Sequence, residues 1–479
     1  MDLKKLLYVG TVLNIIGIIL LVFWTEICTT VLHSKLTLSK TSLSFKLWKE
    51  PPIPIHLSIY LFDWTNAETV IKSKWRVKPQ FEERGPFVFI EHHVRDIISW
   101  NENDTLSYQQ RRIWKFVPGL SKGSIFDNVT SVNPIVAILG NKVKGMKFIT
   151  PLVNSMLWYY NEKLYITKTV SEWLFEGYED PIISHIIEYN IPGVEIPFNR
   201  VGWFYSRNDS ATYEGTYTIY SGRSDINLLG TMSLWNGVNK TDEYDDLCSY
   251  ISGSSGELYP PFTKKRQLSI FLTDICSTIT LERKGEESVF GINGAKFIGT
   301  DYNFDNGSKY ETQKCFSTDS LPSGTRDISK CKYGAPAFIS YPHFYLADPS
   351  YGTRVEGLQP NKTKHETHIT LEPNTGVPLN ASAKLQLNLY IESVKGMSVF
   401  QNVIPTYMPI VWFQEDSSLT EKYCNLIEVF KQLSTGGLYF GGFLLAVGMF
   451  SIILAWYSMN GLVCRRTYTD LLVDEEYRT

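Results

Sequence analysis

Two long apolar segments, one near each end of the chain, constrain the fold more than any other feature of the sequence. Leu6–Trp24 contains 19 residues and Gly436–Tyr457 contains 22, and neither segment carries a charge. At about 1.5 Å of rise per residue, a helix of either length crosses the roughly 30 Å hydrocarbon core of a bilayer. The sequence therefore predicts two transmembrane helices, over residues 6–28 and 436–458.

Charged residues beside these segments predict their orientation. Lys4-Lys5 precedes the first segment, Glu26 follows it closely, and Arg465-Arg466 follows the second. Because positively charged flanks stay in the cytosol, both termini, residues 1–5 and 459–479, are predicted to be cytosolic. A cleaved signal peptide is the alternative for the first segment, but its apolar core would span only about 7–15 residues. We expect an uncleaved anchor.

The segment between the anchors, residues 29–435, has the features of a domain in the lumen or outside the cell. It carries seven N-x-S/T sequons, which act as glycosylation sites only in that compartment. The predicted sites are Asn103, Asn128, Asn208, Asn239, Asn306, Asn361 and Asn380. Four cysteines in the same segment have three possible disulfide connectivities, among which spacing does not choose. They are Cys248, Cys276, Cys315 and Cys331, while the roles of Cys28 and Cys424 stay open.

Strand-like alternation dominates this domain. Apolar and polar residues alternate in Leu385–Ile391 and in Ile55–Leu61, and Tyr213–Tyr220 is rich in Tyr, Thr and Ile. A period of two is typical of antiparallel strands with one buried and one solvated face. These segments predict a mainly β domain, in which Ser252–Gly256 is a loop.

Helical signals are concentrated in residues 133–175. Asn133 followed by Pro134 is typical of a helix start. Thr169 with Glu172 fits a capping box, which marks a second helix start. We therefore predict an α+β, mainly β domain with a helical insertion.

Patterns typical of enzymes and metal sites are not evident in the sequence. His365 and His368 precede a predicted strand, where positions three apart lie on opposite faces, so we expect exposed side chains rather than metal ligands. A nucleotide-hydrolysing ectoenzyme would share the two-anchor topology, but it needs glycine-rich phosphate-binding loops. The net charge of −3 provides no basic field for nucleic acid. We predict no enzymatic activity, no metal and no cofactor.

Several short motifs occur in an order typical of a known family. They are Arg84-Gly85-Pro86-Phe87, Gly177-Tyr178-Glu179-Asp180-Pro181, Pro260-Pro261-Phe262, Thr273-Asp274-Ile275-Cys276, Asp327-Ile328-Ser329-Lys330-Cys331-Lys332 and Ile339-Ser340-Tyr341-Pro342-His343-Phe344. With these motifs and its two anchors, the chain resembles the class B scavenger receptor family over nearly its whole length. The resemblance is to the fatty-acid translocase and lysosomal integral membrane protein type.

The resemblance implies a fold for the domain. We expect an irregular antiparallel β-barrel with a bundle of helices at its membrane-distal apex, formed here by residues 133–175. A hydrophobic tunnel through the domain would carry lipid toward the bilayer. The implied disulfides are Cys248–Cys315 and Cys276–Cys331.

The resemblance also implies a function. The expected protein is a plasma-membrane receptor that binds lipids or lipoprotein-like particles and passes lipid toward the membrane. Fatty acids, sterols, phospholipids and isoprenoids are all candidate ligands. The alternative is an endosomal or lysosomal membrane protein that binds a protein cargo for sorting.

The expected apex contains candidate ligand-binding residues, three adjacent aromatic rings and four lysines. They are Lys142, Lys144, Lys147, Trp158, Tyr159, Tyr160 and Lys163. Three consecutive helical positions span about 200° of arc, so at least one ring should face outward. Such a ring suits the tail of an amphipathic lipid, with ammonium groups near an acidic head. Packing of the rings inside the helical bundle is the alternative.

The second anchor and the tail that follows it carry two further signals. Gly437 and Gly441 have the spacing that permits close approach of another helix, which makes a homo-oligomer a further hypothesis. Cys464 beside Arg465-Arg466 is a candidate for palmitoylation.

Tyr468 and Leu471 form the Tyr-x-x-Leu pattern that clathrin adaptors bind. We predict that Tyr468→Ala slows internalisation and raises the surface level of the chain, because the adaptor loses the ring that it recognises. Uptake of a surface-bound antibody by living cells measures both quantities. A variant with an unchanged internalisation rate and surface level would show that the tail is passive.

Overall fold

The computed structural model describes residues 3–188, 198–262, 265–317 and 321–476, without the side chains of Ile186 and of residues 462–476. The chain divides into two compact units. Thr37–Thr420 forms one unit, and the terminal segments Met1–Leu36 and Glu421–Thr479 form the other.

The described residues form helices and strands whose bounds are as follows. The helices are α1 (Leu3–Leu36), α2 (Leu43–Lys49), α3 (Ala67–Lys72), α4 (Pro134–Val143), α5 (Ile149–Tyr159), α6 (Pro181–Glu188), α7 (Ser350–Thr353), α8 (Lys362–His365) and α9 (Glu421–Glu476). The strands are β1 (Ile55–Trp64), β2 (Phe81–Trp100), β3 (Thr105–Phe116), β4 (Asn128–Val132), β5 (Tyr165–Thr169), β6 (Thr216–Tyr220), β7 (Met232–Trp235), β8 (Gln267–Leu272), β9 (Ser277–Val289), β10 (Ile292–Gly299), β11 (Arg326–Asp327), β12 (Ala337–Ser340), β13 (His368–Leu371), β14 (Pro378–Ile391) and β15 (Thr406–Ser418).

One large antiparallel sheet dominates the unit Thr37–Thr420. Its strands follow the order β7-β6-β3-β2-β1-β15-β14-β13-β10-β9-β8, and β12 joins it by pairing with both β14 and β11. β4 and β5 pair separately as a two-stranded sheet. The long strands β2, β1, β15 and β14 are consecutive neighbours in the middle of this sheet.

The two edge strands of this order, β7 and β8, are joined through Ser254. Ser254 forms an antiparallel bridge with Thr231, beside β7, and a parallel bridge with Ile270 in β8. Its amide also donates to the carbonyl of Ser269 at 2.9 Å. The sheet is therefore a nearly closed antiparallel barrel. Residues of the predicted loop Ser252–Gly256 form hydrogen bonds with backbone groups of the two edge strands, which would otherwise be unpaired.

The predicted strands are present. The expectation that the polar side chains of β14 face solvent is wrong. Gln386 and Asn388 are fully buried. The side-chain amide of Gln386 donates to Oδ1 of Asn388 at 2.7 Å, and the amide of Asn388 donates to Oγ of Ser340 in β12 at 3.0 Å. These bonds satisfy polar groups that alternation alone assigns to solvent.

The predicted helix starts are confirmed, although residues 133–175 are not helical throughout. The side chain of Asn133 caps α4 by accepting hydrogen bonds from the first-turn amides. Thr169 and Glu172 form the expected capping box, in which a carboxylate oxygen of Glu172 accepts from the amide of Thr169 at 2.9 Å. That box opens a π-helical turn, Glu172–Glu176, and follows strand β5.

In the other unit, α1 and α9 are long and apolar enough to cross a bilayer, and they contain the predicted spans 6–28 and 436–458. Glycines lie where the two antiparallel helices pack together. A Cβ on Gly10 would lie 2.9 Å from the carbonyl oxygen of Gly448, and one on Gly17 would lie 2.9 Å from that of Gly441. Only hydrogen fits at these positions, so the glycines set the distance between the helices.

The same spacing continues one heptad further along both helices. Nε1 of Trp24 donates to the carbonyl of Ser434 at 3.0 Å. A Cβ on Gly437 would lie 2.0 Å from the Trp24 ring. The helix-pairing face predicted for Gly437 and Gly441 is therefore occupied by α1 of the same chain.

We predict that Gly17→Leu lowers the thermal unfolding temperature of the paired anchors, because the added side chain would overlap α9. Circular dichroism of the full-length chain in detergent, followed on the helical signal, measures the change. Gly442→Leu is the matched control, since a Cβ there meets nothing within 4 Å. Equal melting of the two variants would contradict the packing.

Candidate functional site

One face of α5 presents large apolar side chains to the outside of the domain. Phe148 is 89% exposed, Leu152 71%, Trp158 80% and Tyr159 75%. Phe148, Leu152 and Tyr159 are separated by four and seven residues, which places them on one side of the helix. Leu157 is buried and anchors the opposite side. We call these four exposed residues the α5 face.

The three adjacent rings singled out in the sequence separate into two environments. Trp158 and Tyr159 belong to the α5 face, whereas Tyr160 is half-buried. The hydroxyl of Tyr160 lies 2.9 Å from Nδ1 of His185 in α6. The expectation that at least one ring faces outward is met, while the role of these rings in ligand binding stays a prediction.

The four candidate lysines lie around α4 and α5. Lys142, Lys144, Lys147 and Lys163 are all exposed. Lys144 forms an ion pair with Glu392, and Lys147 directly precedes Phe148 of the α5 face. The cations therefore flank the exposed apolar residues in the chain, and their contact with an anionic ligand stays a prediction.

Behind α4 lies a cavity of about 260 Å³. Apolar side chains from α4, β1, β14, β15 and the segment after residue 197 line most of it. They include Leu57, Ile135, Ile138, Phe198, Val201, Phe204, Leu385, Leu387, Leu389, Val411 and Phe413. For comparison, an apolar cavity of about 150 Å³ is large enough to bind benzene.

The remaining wall of the cavity is charged. Its charged residues are Arg112, Arg200, Arg207, Asp274, Lys332 and Glu415. The cavity therefore has an amphipathic lining, which neither strand alternation nor the family resemblance indicated.

Arg112 connects these residues to a longer series of ion pairs inside the barrel. Its guanidinium lies 2.8 Å from Glu214, 3.1 Å from Glu415 and 3.4 Å from Glu91. Glu214 in turn lies 2.7 Å from Arg207. The three strands and one loop that carry these groups are thus joined through the half-buried guanidinium of Arg112.

The series extends on both sides of Arg112. On one side, Arg207 contacts Asp274 at 2.8 Å, and Lys332 lies 3.7 Å from Asp274. On the other side, His93 contacts both Glu91 and Glu257, and Glu257 also pairs with Arg95. We call this set of ten charged residues the barrel network.

The ion pairs of the barrel network shift the pKa values of some of its members. Burial disfavours the charged form of His93, but the carboxylates of Glu257 and Glu91 more than offset this and raise its pKa to about 9. Burial likewise opposes the charge of Glu91, yet Arg112 and His93 lower its pKa to about 2. His93 is therefore a cation at neutral pH, in contrast to an ordinary histidine.

Glu415 behaves differently from the other carboxylates. Burial and the negative charge of Glu91 raise its pKa to about 7, although Arg112 acts in the opposite direction. A carboxyl group with this pKa changes its charge near neutral pH, inside the wall of the cavity.

The two disulfides implied by the resemblance, Cys248–Cys315 and Cys276–Cys331, are confirmed. Asp274 lies two residues before Cys276, and Lys332 directly follows Cys331. The second disulfide therefore holds this ion pair at the cavity wall. Asp274 and Lys332 both lie in the short sequence motifs that contain these cysteines. Those motifs could have identified them as candidate site residues.

The histidine expected to be exposed at position 365 is buried, so that expectation is wrong. The His365 ring stacks on His343 with 4.5 Å between centroids. Burial, together with the charges of His343 and Lys364, lowers the pKa of His365 to about 3. His343 also lies 2.6 Å from Glu83. The short helix α8, rather than a strand, turns His365 inward.

The predicted glycosylation and tail sites stay predictions. Five of the seven asparagines are exposed, and Asn306 and Asn380 are half-buried. The side-chain nitrogen of Asn306 donates to the carbonyl of Leu321 at 2.8 Å. The side chains of Cys464, Tyr468 and Leu471 lie outside the described residues.

Sequence comparison assigns this architecture to a family. The profile described as the CD36 family matches residues 8–459, which is nearly the whole chain. The chain belongs to the CD36 family. The class B scavenger receptor resemblance drawn from the short motifs is thereby confirmed.

Relatives in this family cover most of the chain. Protein peste of Drosophila melanogaster is 34% identical over 445 residues, which is 92% of this chain and 79% of that protein. Scavenger receptor class B member 1 of Sus scrofa is 34% identical over 420 residues, or 86% of this chain and 80% of the relative. Lysosome membrane protein 2 of Homo sapiens is 26% identical over 436 residues, which is 90% of this chain and 89% of that protein.

We predict that Arg112→Met lowers the free energy of unfolding of this CD36-family domain by about 3–5 kcal/mol, because the buried carboxylates of Glu91 and Glu214 each lose one of their two cationic partners. Urea unfolding of the full-length chain in detergent, followed by tryptophan fluorescence, measures the loss. Arg111→Met is the matched control, since Arg111 pairs with Asp96 nearer the surface and should contribute about 1 kcal/mol or less. Similar losses in both variants would contradict the importance of the barrel network.

Proposed function

We propose that this CD36-family chain is a receptor that binds lipids or lipid-bearing particles and passes lipid toward the membrane. The observation that carries the proposal is an exposed apolar helix face beside α4, the helix that lines an amphipathic cavity. Relatives named as scavenger receptors support a receptor role. We propose no catalytic step.

The area of the α5 face is suited to reversible docking. Its three aromatic residues, which are 75–89% exposed, offer about 350–600 Å² of accessible surface, since a whole aromatic residue has roughly 150–250 Å². Burial of that area is worth about 9–15 kcal/mol at 25 cal/mol per Å². Loss of translational and rotational freedom costs about 4–15 kcal/mol on association, so the net contact is modest. A receptor that must release its lipid benefits from such a balance.

The lysines near the α5 face would favour anionic ligands. Lys142, Lys147 and Lys163 are exposed, and each ammonium is worth about 1 kcal/mol close to an anionic lipid surface. We propose that the rings contact lipid tails while these ammonium groups lie near acidic head groups. Such attraction weakens with salt, because the Debye length falls from about 10 Å at 0.1 M to 3 Å at 1 M.

The cavity would hold part of a lipid after docking. Its apolar wall suits a hydrocarbon chain, and α4 contributes Ile135 and Ile138 to that wall. We propose that the cavity is one segment of a tunnel through the domain. The lipid would leave the α5 face, enter behind α4 and continue toward the bilayer.

The proposed location is the plasma membrane, with both termini in the cytosol and a clathrin adaptor binding the tail. The relative named lysosome membrane protein 2 favours the alternative, an endosomal or lysosomal protein that sorts a protein cargo. Imaging of a tagged chain at steady state separates the two. Surface labelling supports the receptor, and exclusive overlap with a lysosomal marker supports the alternative.

We predict that replacing Phe148, Leu152, Trp158 and Tyr159 together with Ser lowers cellular uptake of fluorescent lipid from particles by about tenfold or more, because docking loses its apolar area. Tyr160 is left unchanged, since its half-buried ring contacts His185. Uptake is measured at equal surface level, with both disulfides verified by peptide mapping.

Phe290→Ser is the matched control. Phe290 is an exposed ring in the β9–β10 turn, outside the α5 face. It should leave uptake unchanged. Normal uptake by the fourfold variant would reject the α5 face as the entry site.

A further inference from the structure

The turn between β9 and β10 presents an aromatic ring on an uncharged tip. Phe290 is 60% exposed, and its φ of 47° lies in the left-handed region that a bulky residue rarely adopts. The hairpin carries no charge from Ser288 to Ala295. A Cβ on Gly291 would meet nothing within 4 Å, so the turn stands clear of the surrounding chain at that point. A single exposed ring is ordinary by itself, and its position in the barrel is what gives it meaning.

The strand register places this tip at the end of the barrel from which the second anchor leaves. Lys296 of β10 pairs with Thr370, Thr370 pairs with Asn380, and Asn380 pairs with Ser418, the last residue of β15. The chain then enters α9 at Glu421, only three residues after β15 ends. Beyond Lys296 the hairpin continues in the direction in which β15 runs toward α9. We call this end of the barrel the anchor end.

The hairpin is long enough to touch a bilayer that α9 crosses. Phe290 precedes Lys296 by six residues, which is about 20 Å along the strands at roughly 3.3 Å per residue. The apolar run of α9 begins at Gly436, 15 residues after Glu421, or about 22 Å along the helix. Head groups form a layer of about 5–8 Å outside the hydrocarbon core, so this layer begins about 14–17 Å along α9. The reach of the hairpin matches that length.

The charges behind the tip are paired with one another. Glu287 lies 3.6 Å from Lys296, and Glu286 lies 3.4 Å from Arg283. The uncharged turn therefore comes first in the direction of the anchor, and compensated charges follow it. This order suits a membrane interface, where aromatic and aliphatic side chains enter the head-group region and charged groups stay in water.

A bilayer explains the tip better than a protein partner does. One ring that is 60% exposed offers roughly 90–150 Å² of surface, at about 150–250 Å² for a whole aromatic residue. Specific protein interfaces bury about 1,200–2,000 Å² in total. A bilayer needs no complementary shape, and the anchors already hold the chain beside it.

We propose that the β9–β10 tip is a third membrane contact of the chain, in which the ring of Phe290 lies in the interfacial layer of the bilayer. Because α1 and α9 already hold the chain in the membrane, this contact sets the tilt of the barrel rather than its attachment. The inference does not depend on what the cavity holds. Lipid docking at the α5 face does not involve the tip, so Phe290→Ser keeps its place as a control for uptake.

Depth-dependent fluorescence quenching tests the contact on the full-length chain in nanodiscs. A fluorescent naphthyl amino acid replaces Phe290 by codon suppression, and the discs contain phosphatidylcholine with a nitroxide either on the head group or at mid-chain. Head-group nitroxides should quench the probe at least about threefold more strongly than mid-chain nitroxides, because the ring would lie about 15 Å or more from the bilayer centre. Iodide dissolved in the water should quench it weakly.

The same probe in place of Phe126 is the matched control. Phe126 is 73% exposed and lies toward the opposite end of the barrel, where the amide of Thr130 donates to Asp63 near the last residue of β1. Lipid nitroxides should not quench it, and iodide should. Both disulfides are verified by peptide mapping in each labelled chain.

A second variant tests the ring itself. With the probe at the exposed position Asn293, Phe290→Asp should lower quenching by head-group nitroxides at least about twofold, because a carboxylate resists leaving water. Unchanged quenching would show that the ring does not hold the tip at the bilayer.

Two results at position 290 would overturn the proposal. Lipid quenching as weak as at position 126, with full access to iodide, would leave the tip in water. Protection from iodide without lipid quenching would show that protein, and not lipid, covers the tip.

Discussion

The structure depends on the guanidinium of Arg112, which joins three carboxylates inside a nearly closed barrel. Glu91 comes from β2, Glu415 from β15 and Glu214 from the segment before β6. Loss of this half-buried cation would cost several kcal/mol, because the buried carboxylates of Glu91 and Glu214 would each lose a partner. The strands are therefore held in register by charges as well as by their backbone hydrogen bonds. Apolar packing on the remaining inner surface adds the stabilisation that comes from buried apolar area.

The cavity is an unusual feature of the domain. Close-packed protein interiors leave few voids larger than a water molecule, whereas this cavity has a volume of about 260 Å³. The charged wall cannot be covered by apolar side chains without loss of its partners. The Cys276–Cys331 disulfide fixes one part of that wall beside Asp274 and Lys332. The cavity therefore has one charged and one apolar side.

The anchors, the mainly β fold and the helix starts could be predicted from the sequence, because each depends on residues close together in the chain. The barrel network could not, since strand alternation places charged residues in water by default. Glu91, His93 and Arg95 alternate along β2 as a solvated face would, yet their partners come from distant segments such as Glu257. The disulfides came from family resemblance rather than from spacing. The candidate rings of α5 were found in sequence, but only the structure separates Trp158 and Tyr159 from Tyr160.

The most direct test of the account is the position at which a lipid contacts the chain during uptake. Full-length protein in membranes is supplied with a photoactivatable acyl lipid carrying a diazirine at mid-chain, and the adducts are mapped by mass spectrometry. We expect adducts on cavity residues such as Ile135, Val201 and Leu387, reduced by an excess of unlabelled lipid. Adducts confined to α1, α9 and the outer surface of the barrel would contradict it.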